Sequence, residues 1–218
     1  MQSRPVPASA RTKVRRHPER GVYESETVRA ILDEGTFAHF GFLDGGSPVV
    51  IPTAYGRDGN TLYLHGSAAS AWCRRAAEGS PVCVTVTLFD GFVLARSTFK
   101  HSMNYRSVVV FGSARLVADR DEKLHGLERI VEHLVPGRSR EARSPNENEL
   151  AATSVIALDL DEASAKIRSG GPIDDEVDFV RPVWAGVLPS RTVYGPPEPD
   201  RNAPPIVDVP EYVKNYAR

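Results

Sequence analysis

Hydrophobic positions along the chain begin at helical spacing and then change period. From Ser25 to Glu34, Val28, Ile31 and Leu32 share one face and Gly35 follows them, which predicts a short amphipathic helix. From there the pattern is that of strands. Thr36 to Leu43 and Pro48 to Tyr55 are apolar, β-prone runs joined by Asp44-Gly45-Gly46, and Arg57-Asp58-Gly59-Asn60 leads into Thr61 to His65, a three-stranded meander. Ser67 to Glu78 reads as a helix closed by Gly79, Val82 to Phe89 as a strand, and Asp90-Gly91 as a tight turn into Phe92 to Thr98. Val108, Val109, Val110 and Phe111 lack polar alternation and read as a strand buried on both faces. The strand that ends at Val117 completes a six-stranded antiparallel set.

Helical periodicity then returns. Asp119 with Glu122 is a capping-box signature, and Leu124, Leu127, Ile130, Val131 and Leu134 form an apolar stripe up to Pro136-Gly137. A polar loop carrying Arg138, Arg140 and Arg143 precedes a short helix at Glu147 to Ala152 and a last barrel strand at Ser154 to Leu160. Residues 172–181 hold an acidic stretch, Trp184 to Leu188 is apolar, and six prolines beyond Gly195 predict an extended surface tail. Many short strands with interleaved helices predict a mainly β fold, an antiparallel barrel with peripheral α-helices over residues 21–190. A basic arm flanks it at 1–20 and a Pro-rich tail at 191–218.

Composition narrows the function. The 218 residues suffice for one domain with a full core, and 41% hydrophobic with 25% charged residues is ordinary for a soluble protein. A net charge of -1 argues against nucleic-acid binding driven by overall charge, so small molecules are the expected partners. No apolar run approaches the roughly 20 residues that cross a bilayer, and the N-terminal segment lacks the apolar centre of a signal peptide, which predicts a cytoplasmic protein without a membrane partner. Cys73 and Cys83 have no CxxC partner and are expected as free thiols, with no zinc site and no disulfide.

Three groups of residues carry candidate chemistry. His65, Gly66, Ser67 and Ser70 stand where a strand end meets a helix start, a place suited to a phosphate, with Arg74 and Arg75 one turn on. The bland alternative is a Ser67 helix cap beside a strand-end histidine. Between Asp90 and Gly112, the residues His101, Ser102, Asn104, Tyr105, Arg106 and Ser107 sit at the mouth of a strand; alternation sends Tyr105 and Ser107 to one face and Arg106 to the other. A hydrogen-bonding turn with a surface arginine is the competing reading. Lys166 and Arg168 share one side of an extended segment and form either an anion clamp or two solvated charges. No nucleophile elbow, zinc-protease spacing or glycine-rich dinucleotide fingerprint is present.

Taken together, RRHPERGVYESETVRAILDEG, PVVIPTAYGR, LYLHGS, PVCVTVTLFDG, VLARSTFKHSMNYRSVVVFG, HLVPGR, ELAATSVIALDL, EASAKIRSGGPIDD and VWAGVLP resemble, in order from about Arg11 to Leu188, the flavin-binding branch of the pyridoxamine 5′-phosphate oxidase-like family that includes the nitroimidazole-resistance reductases. The resemblance implies a split β-barrel, assembled as a homodimer with FMN at the subunit interface and two sites per dimer. It assigns His65, Gly66, Ser67 and Ser70 to the flavin phosphate, Asn104, Tyr105, Arg106 and Ser107 to a cluster facing the cofactor, and Val50, Ile51, Pro52 and Thr53 to backbone contacts with the ring. His65 is the candidate for assisting a bound substrate. Two departures stand out: Ala71-Trp72 replaces the basic residue that relatives carry after the Ser70 position, leaving Arg74 to substitute, and Lys100 stands where a histidine is expected. The implied activity is that of an FMN-dependent oxidoreductase acting on a small molecule, in which the cofactor carries the chemistry. The alternative is a binding protein for flavin, haem or a deazaflavin, with His65 or His101 as an axial iron ligand.

Overall fold

The computed structural model describes residues 7–202 and 208–217. In chain order the elements are β1 (Gly21–Val22), α1 (Ser25–Glu34), β2 (Ala38–Asp44), β3 (Ser47–Thr53), β4 (Tyr55–Asp58), β5 (Thr61–Ser67) and α2 (Ala71–Ala77). Then come β6 (Pro81–Leu94), β7 (Ser102–Ser113), β8 (Arg115–Leu116), α3 (Arg120–Leu134), α4 (Glu147–Ala152), β9 (Thr153–Asp159), β10 (Glu162–Arg168), β11 (Gly186–Pro189) and α5 (Glu211–Lys214).

Every pairing is antiparallel. One sheet runs β1-β10-β7-β6-β2-β3, with β11 on the far end of β6; the other runs β4-β5-β9-β8. This is a mainly β, split-barrel architecture. Its two sheets hold more strands among the described residues than the six expected, because β10 pairs with β7 along seven residues. The alternating small and polar residues of that segment, Ala163, Ser164, Ala165 and Lys166, give a weak hydrophobic signal.

Alternation decides which side chains fill the barrel. Phe40, Leu62, Leu64, Val84, Val86, Val108, Val110, Ile156 and Leu158 are buried together, and Val28, Ile31 and Leu32 of α1 join them. Val108 to Phe111 is therefore buried on one face only, since Val109 and Phe111 are half-buried. A second cluster, Tyr63, Val117, Ile130, Val155 and Ala157, lies between the smaller sheet and α3. Helix α3 is capped as expected, with Asp119 accepting from the Glu122 amide at 2.8 Å, but the Glu122 carboxylate binds Arg115 and Tyr63 instead of closing a box. The complete capping box belongs to α4, between Asn146 and Glu149.

Asp90-Gly91 does not form the expected turn. Strand β6 continues through it with a bulge between Phe89 and Gly91, and the reversal falls in residues 95–101. Gly91 has φ 145°, and a Cβ there would lie 2.5 Å from the Leu188 carbonyl oxygen of β11; tertiary contact sets this conformation. The helix expected from Ser67 begins only at Ala71, because Ser67 to Ser70 form a loop that closes on itself.

Described segments near both ends of the chain, residues 7–20 and 208–217, pack on the barrel and its helices. Arg11 pairs with Glu162 and covers the Phe111 ring at 5.5 Å, and the Val14 amide donates to the Tyr23 hydroxyl. In the tail, the Tyr194 and Tyr216 rings meet edge to face at 4.6 Å and the Tyr216 hydroxyl donates to the Leu134 carbonyl. Cys73 is buried and Cys83 half-buried, both as free thiols that burial pushes up. No helix among the described residues is long and apolar enough to cross a membrane.

Candidate functional site

Strand β3 passes into β4 through Ala54 and changes sheet there, and β4 pairs with β5 so that Tyr55 faces Leu64, the residue before His65; the end of the Val50 to Thr53 segment and the start of the His65 to Ser70 segment are thus each joined to the same end of this pair. Val50 and Pro52 are exposed on β3, the free edge strand of the large sheet.

His65 has a specific electrostatic situation. Its Nδ1 is buried without a hydrogen-bond partner, and burial holds its pKa below the ordinary value, which keeps the ring neutral. Beyond it, Gly66 admits the indole of Trp72: a Cβ on Gly66 would stand 2.5 Å from Trp72 Cζ2. That indole also packs on Phe40 with ring centroids 5.0 Å apart. The residue standing in place of a basic one is thus a core residue that anchors α2.

The loop after β5 is internally bonded. Ser70 Oγ donates to the Ser67 carbonyl at 2.7 Å, and Ser67 Oγ accepts from the Ala69 amide at 3.2 Å. Arg74 folds back from α2 onto the Ala69 carbonyl, so its exposed guanidinium stands over the loop, where a substitute cation is wanted. Ser70, not Ser67, occupies the N-cap position of α2, and it makes no side-chain cap bond.

The cluster on β7 divides between the two faces of its strand. Arg106 makes a fork on Asp90, with Nη2 to Oδ1 at 2.7 Å and Nε to Oδ2 at 3.0 Å, and reaches Glu34 from Nη2 at 2.8 Å. Two carboxylates therefore hold the guanidinium, and their bonds push its pKa up. These three residues line a cavity of about 580 Å³ with Phe37, Phe89 and Tyr194. On the other face, Tyr105 and Ser107 stand opposite Arg168 and Lys166 of β10. Asn104 is buried; it donates to the Gly170 carbonyl and accepts from Arg168.

Within one chain, β7 and β3 are separated by β6 and β2. No side-chain hydrogen bond joins the described residues of the two groups, and the strands that carry them are not neighbours. The hairpin residues flanking the cluster are also engaged. Lys100 Nζ donates to Asp175 Oδ1 at 2.9 Å, and His101 Nδ1 donates to the Ser97 carbonyl, because a carbonyl only accepts.

Sequence reasoning missed Glu34 and Asp90 as partners of Arg106, and Asp174, which receives both the amide and the guanidinium of Arg96. Pairs so distant in sequence leave no local signal. Among the described residues, no three His, Cys, Asp or Glu side chains converge on a metal-binding geometry.

Comparison with known proteins identifies the family of the fold. The sequence pattern of the pyridoxamine 5′-phosphate oxidase family matches residues 24–167. A search of curated proteins finds no match. Among solved structures, the flavocytochrome Anf3 from Azotobacter vinelandii is 41% identical with a TM-score of 0.91, covering 96% of this chain and 97% of that one. The FAD and heme binding protein from Mycobacterium smegmatis is 37% identical with a TM-score of 0.85, covering 89% of this chain and 95% of that one. A protein from Bacteroides thetaiotaomicron named for 5-nitroimidazole antibiotic resistance shares the fold at 20% identity and a TM-score of 0.57, over 78% of this chain and 90% of its own.

Proposed function

Because this chain belongs to the pyridoxamine 5′-phosphate oxidase family, we propose that it is a flavin-binding oxidoreductase that also holds haem, with His65 as the iron ligand. The observation that carries the haem reading is the buried, unpartnered Nδ1 of a neutral His65, since iron binds the deprotonated nitrogen of a neutral imidazole. Two relatives of high identity support it by their names, one a flavocytochrome and one a FAD and heme binding protein. A bound flavin would supply two-electron chemistry toward a small-molecule donor and a bound haem one-electron chemistry, with the protein supplying binding and orientation.

The chain's own groups do the positioning. Val50 to Thr53 offer backbone to the ring, and the Ser67 to Ser70 loop with Arg74 takes the phosphate that FMN and FAD share. Burial disfavours the charged form of His65.

The assembly is a homodimer with the cofactors between subunits. Support comes from the two strands, β6 and β2, that separate β3 from β7 within one chain, and from exposed Phe92, Phe99, Ile173, Trp184 and Leu188. The test is an absorbance spectrum taken across a light-scattering gel-filtration peak of the protein as isolated. Flavin bands and a Soret band at the dimer mass are expected, with His65→Ala losing the Soret band and keeping the flavin bands. Colourless protein that takes up neither cofactor overturns the reading, as does a Soret band unchanged in His65→Ala or a monomer with flavin bound.

A further inference from the structure

The two carboxylates that hold Arg106 face a cavity of about 580 Å³, within the range of small-molecule sites. None of the residues proposed to hold flavin or haem lines it. Arg106 projects from the side of β7 opposite to Tyr105 and Ser107, so the cavity is distinct from the strand face that those two residues share.

Local structure puts each wall in place. Helix α1 ends at Glu34 and the chain turns at Gly35, where a Cβ would lie 2.4 Å from Val86 Cγ1 and 2.8 Å from the Tyr55 hydroxyl; this close approach sets Glu34 and, two residues on, Thr36 at the cavity. On β6 the register slips between Phe89 and Gly91. Asp90 is therefore the extra residue of the bulge, with no residue of β7 opposite it, and a bulge re-aims its side chain. The tail after β11 supplies the last wall. The Ser190 amide donates to the Asp90 carbonyl at 3.1 Å, Arg191 follows, and the Tyr194 ring rests on Tyr216, whose hydroxyl is bonded to the Leu134 carbonyl at the end of α3.

Charge in this cavity is separated. Arg106 commits four N–H bonds to Glu34 and Asp90, one to each carboxylate oxygen, and every one of those oxygens keeps a lone pair for a further donor. Two carboxylates around one guanidinium also leave one negative charge uncompensated. Arg191 lines the same space from the tail, is exposed, and forms no ion pair with a described residue. Surplus negative charge with spare acceptors thus lies on one wall and a free cation on another. Phe37, Phe89 and Tyr194, three aromatic rings that stay exposed, complete the lining.

We propose that this cavity binds an aromatic α-amino acid, its ammonium on Glu34 and Asp90, its carboxylate on Arg191 and its ring against Phe37, Phe89 and Tyr194. A simple cation would leave Arg191 unused, a simple anion would meet the surplus negative charge, and a neutral sugar would compensate neither wall. The site does not depend on flavin or haem.

The experiment is calorimetric titration of the full-length protein with L-phenylalanine at about 50 mM salt, where exposed charges are weakly screened. Phenylalanine binds wild type at one per chain. Glu34→Gln, which keeps the shape and removes the charge, weakens it by about tenfold, and Arg191→Ala, an exposed change that breaks no ion pair, by about threefold. Phenethylamine, which lacks the carboxylate, is weakened by Glu34→Gln and indifferent to Arg191→Ala. Absence of phenylalanine binding, equal affinity in wild type and both variants, or tighter binding of glucose overturns the proposal. Loss of FMN binding in Glu34→Gln also overturns it, because the cavity then belongs to the cofactor. Phenylalanine binding by protein that takes up no flavin refutes the flavin reading and leaves this site standing.

Discussion

Substituting Gly66 with alanine tests whether the residue before the phosphate loop is there for a cofactor or for the helix behind it. The added Cβ would meet Trp72 Cζ2 at 2.5 Å, Cys73 Sγ at 2.9 Å and Trp72 Cε2 at 3.0 Å. Overpacking of this kind costs about 1–3 kcal/mol, while replacing a strand glycine returns about 0.5–1 kcal/mol of backbone entropy. A net loss of about 1–2 kcal/mol remains, which lowers Tm by about 2–8 °C for a chain of this size. The indole is the main obstacle. In a Trp72→Leu background only the Cys73 contact persists, so the cost of Gly66→Ala falls by about 1 kcal/mol in a double-mutant cycle. Gly56 sets the upper limit of the scale: its Cβ would stand 2.4–2.5 Å from backbone atoms of Arg129 and Ile130, which cannot rotate away. Gly56→Ala is therefore the more damaging change. Thermal unfolding of the five proteins (wild type, Gly66→Ala, Trp72→Leu, their double variant and Gly56→Ala) checks the order, and the change in tryptophan fluorescence on Gly66→Ala reports whether the Trp72 indole has moved toward water. The packing argument fails if Gly66→Ala keeps the wild-type Tm, costs the same with and without Trp72, or exceeds Gly56→Ala.

Two further predictions concern ion pairs. Arg106→Ala strands Asp90 and Glu34, whose side chains are 34% and 44% exposed, so it should cost only about 1–2 kcal/mol and leave flavin content unchanged; loss of flavin at intact stability would return Arg106 to the cofactor. Arg106→Lys should recover little, because lysine lacks the fork. Glu149 is held down to about 2, by Arg143 first and the Asn146 amide second, against an ordinary value of 4.5. Its contribution to the α4 cap is therefore present above the ordinary value and lost as pH falls from about 4.5 toward 2, and NMR titration should show Arg143→Ala moving the midpoint upward; an unmoved midpoint would exclude the ion pair as the cause.

The sequence by itself determined what depends on neighbours within a few residues. Helix α1 falls on its expected bounds, since three apolar positions and a following glycine act through one turn of chain. Helix α4 does too, and the turns at 44–46 and 58–60 form as expected because Asp-Gly signals act locally, but the expected three-stranded meander divides into two hairpins, since the middle run splits into β3 and β4, which belong to different sheets. Order along the chain also sufficed for the family. Tertiary structure alone decided the features that rest on distant partners. Gly91 is a bulge because β11 crosses there, and Trp72 is a core residue because Phe40 and Gly66 receive it. Arg106 is neutralised by residues 16 and 72 positions away, whereas Arg168 is buried among carbonyls with no carboxylate in reach. A cation's availability depends on what the fold places within a few ångströms of it, and period, composition and spacing carry no information about that distance.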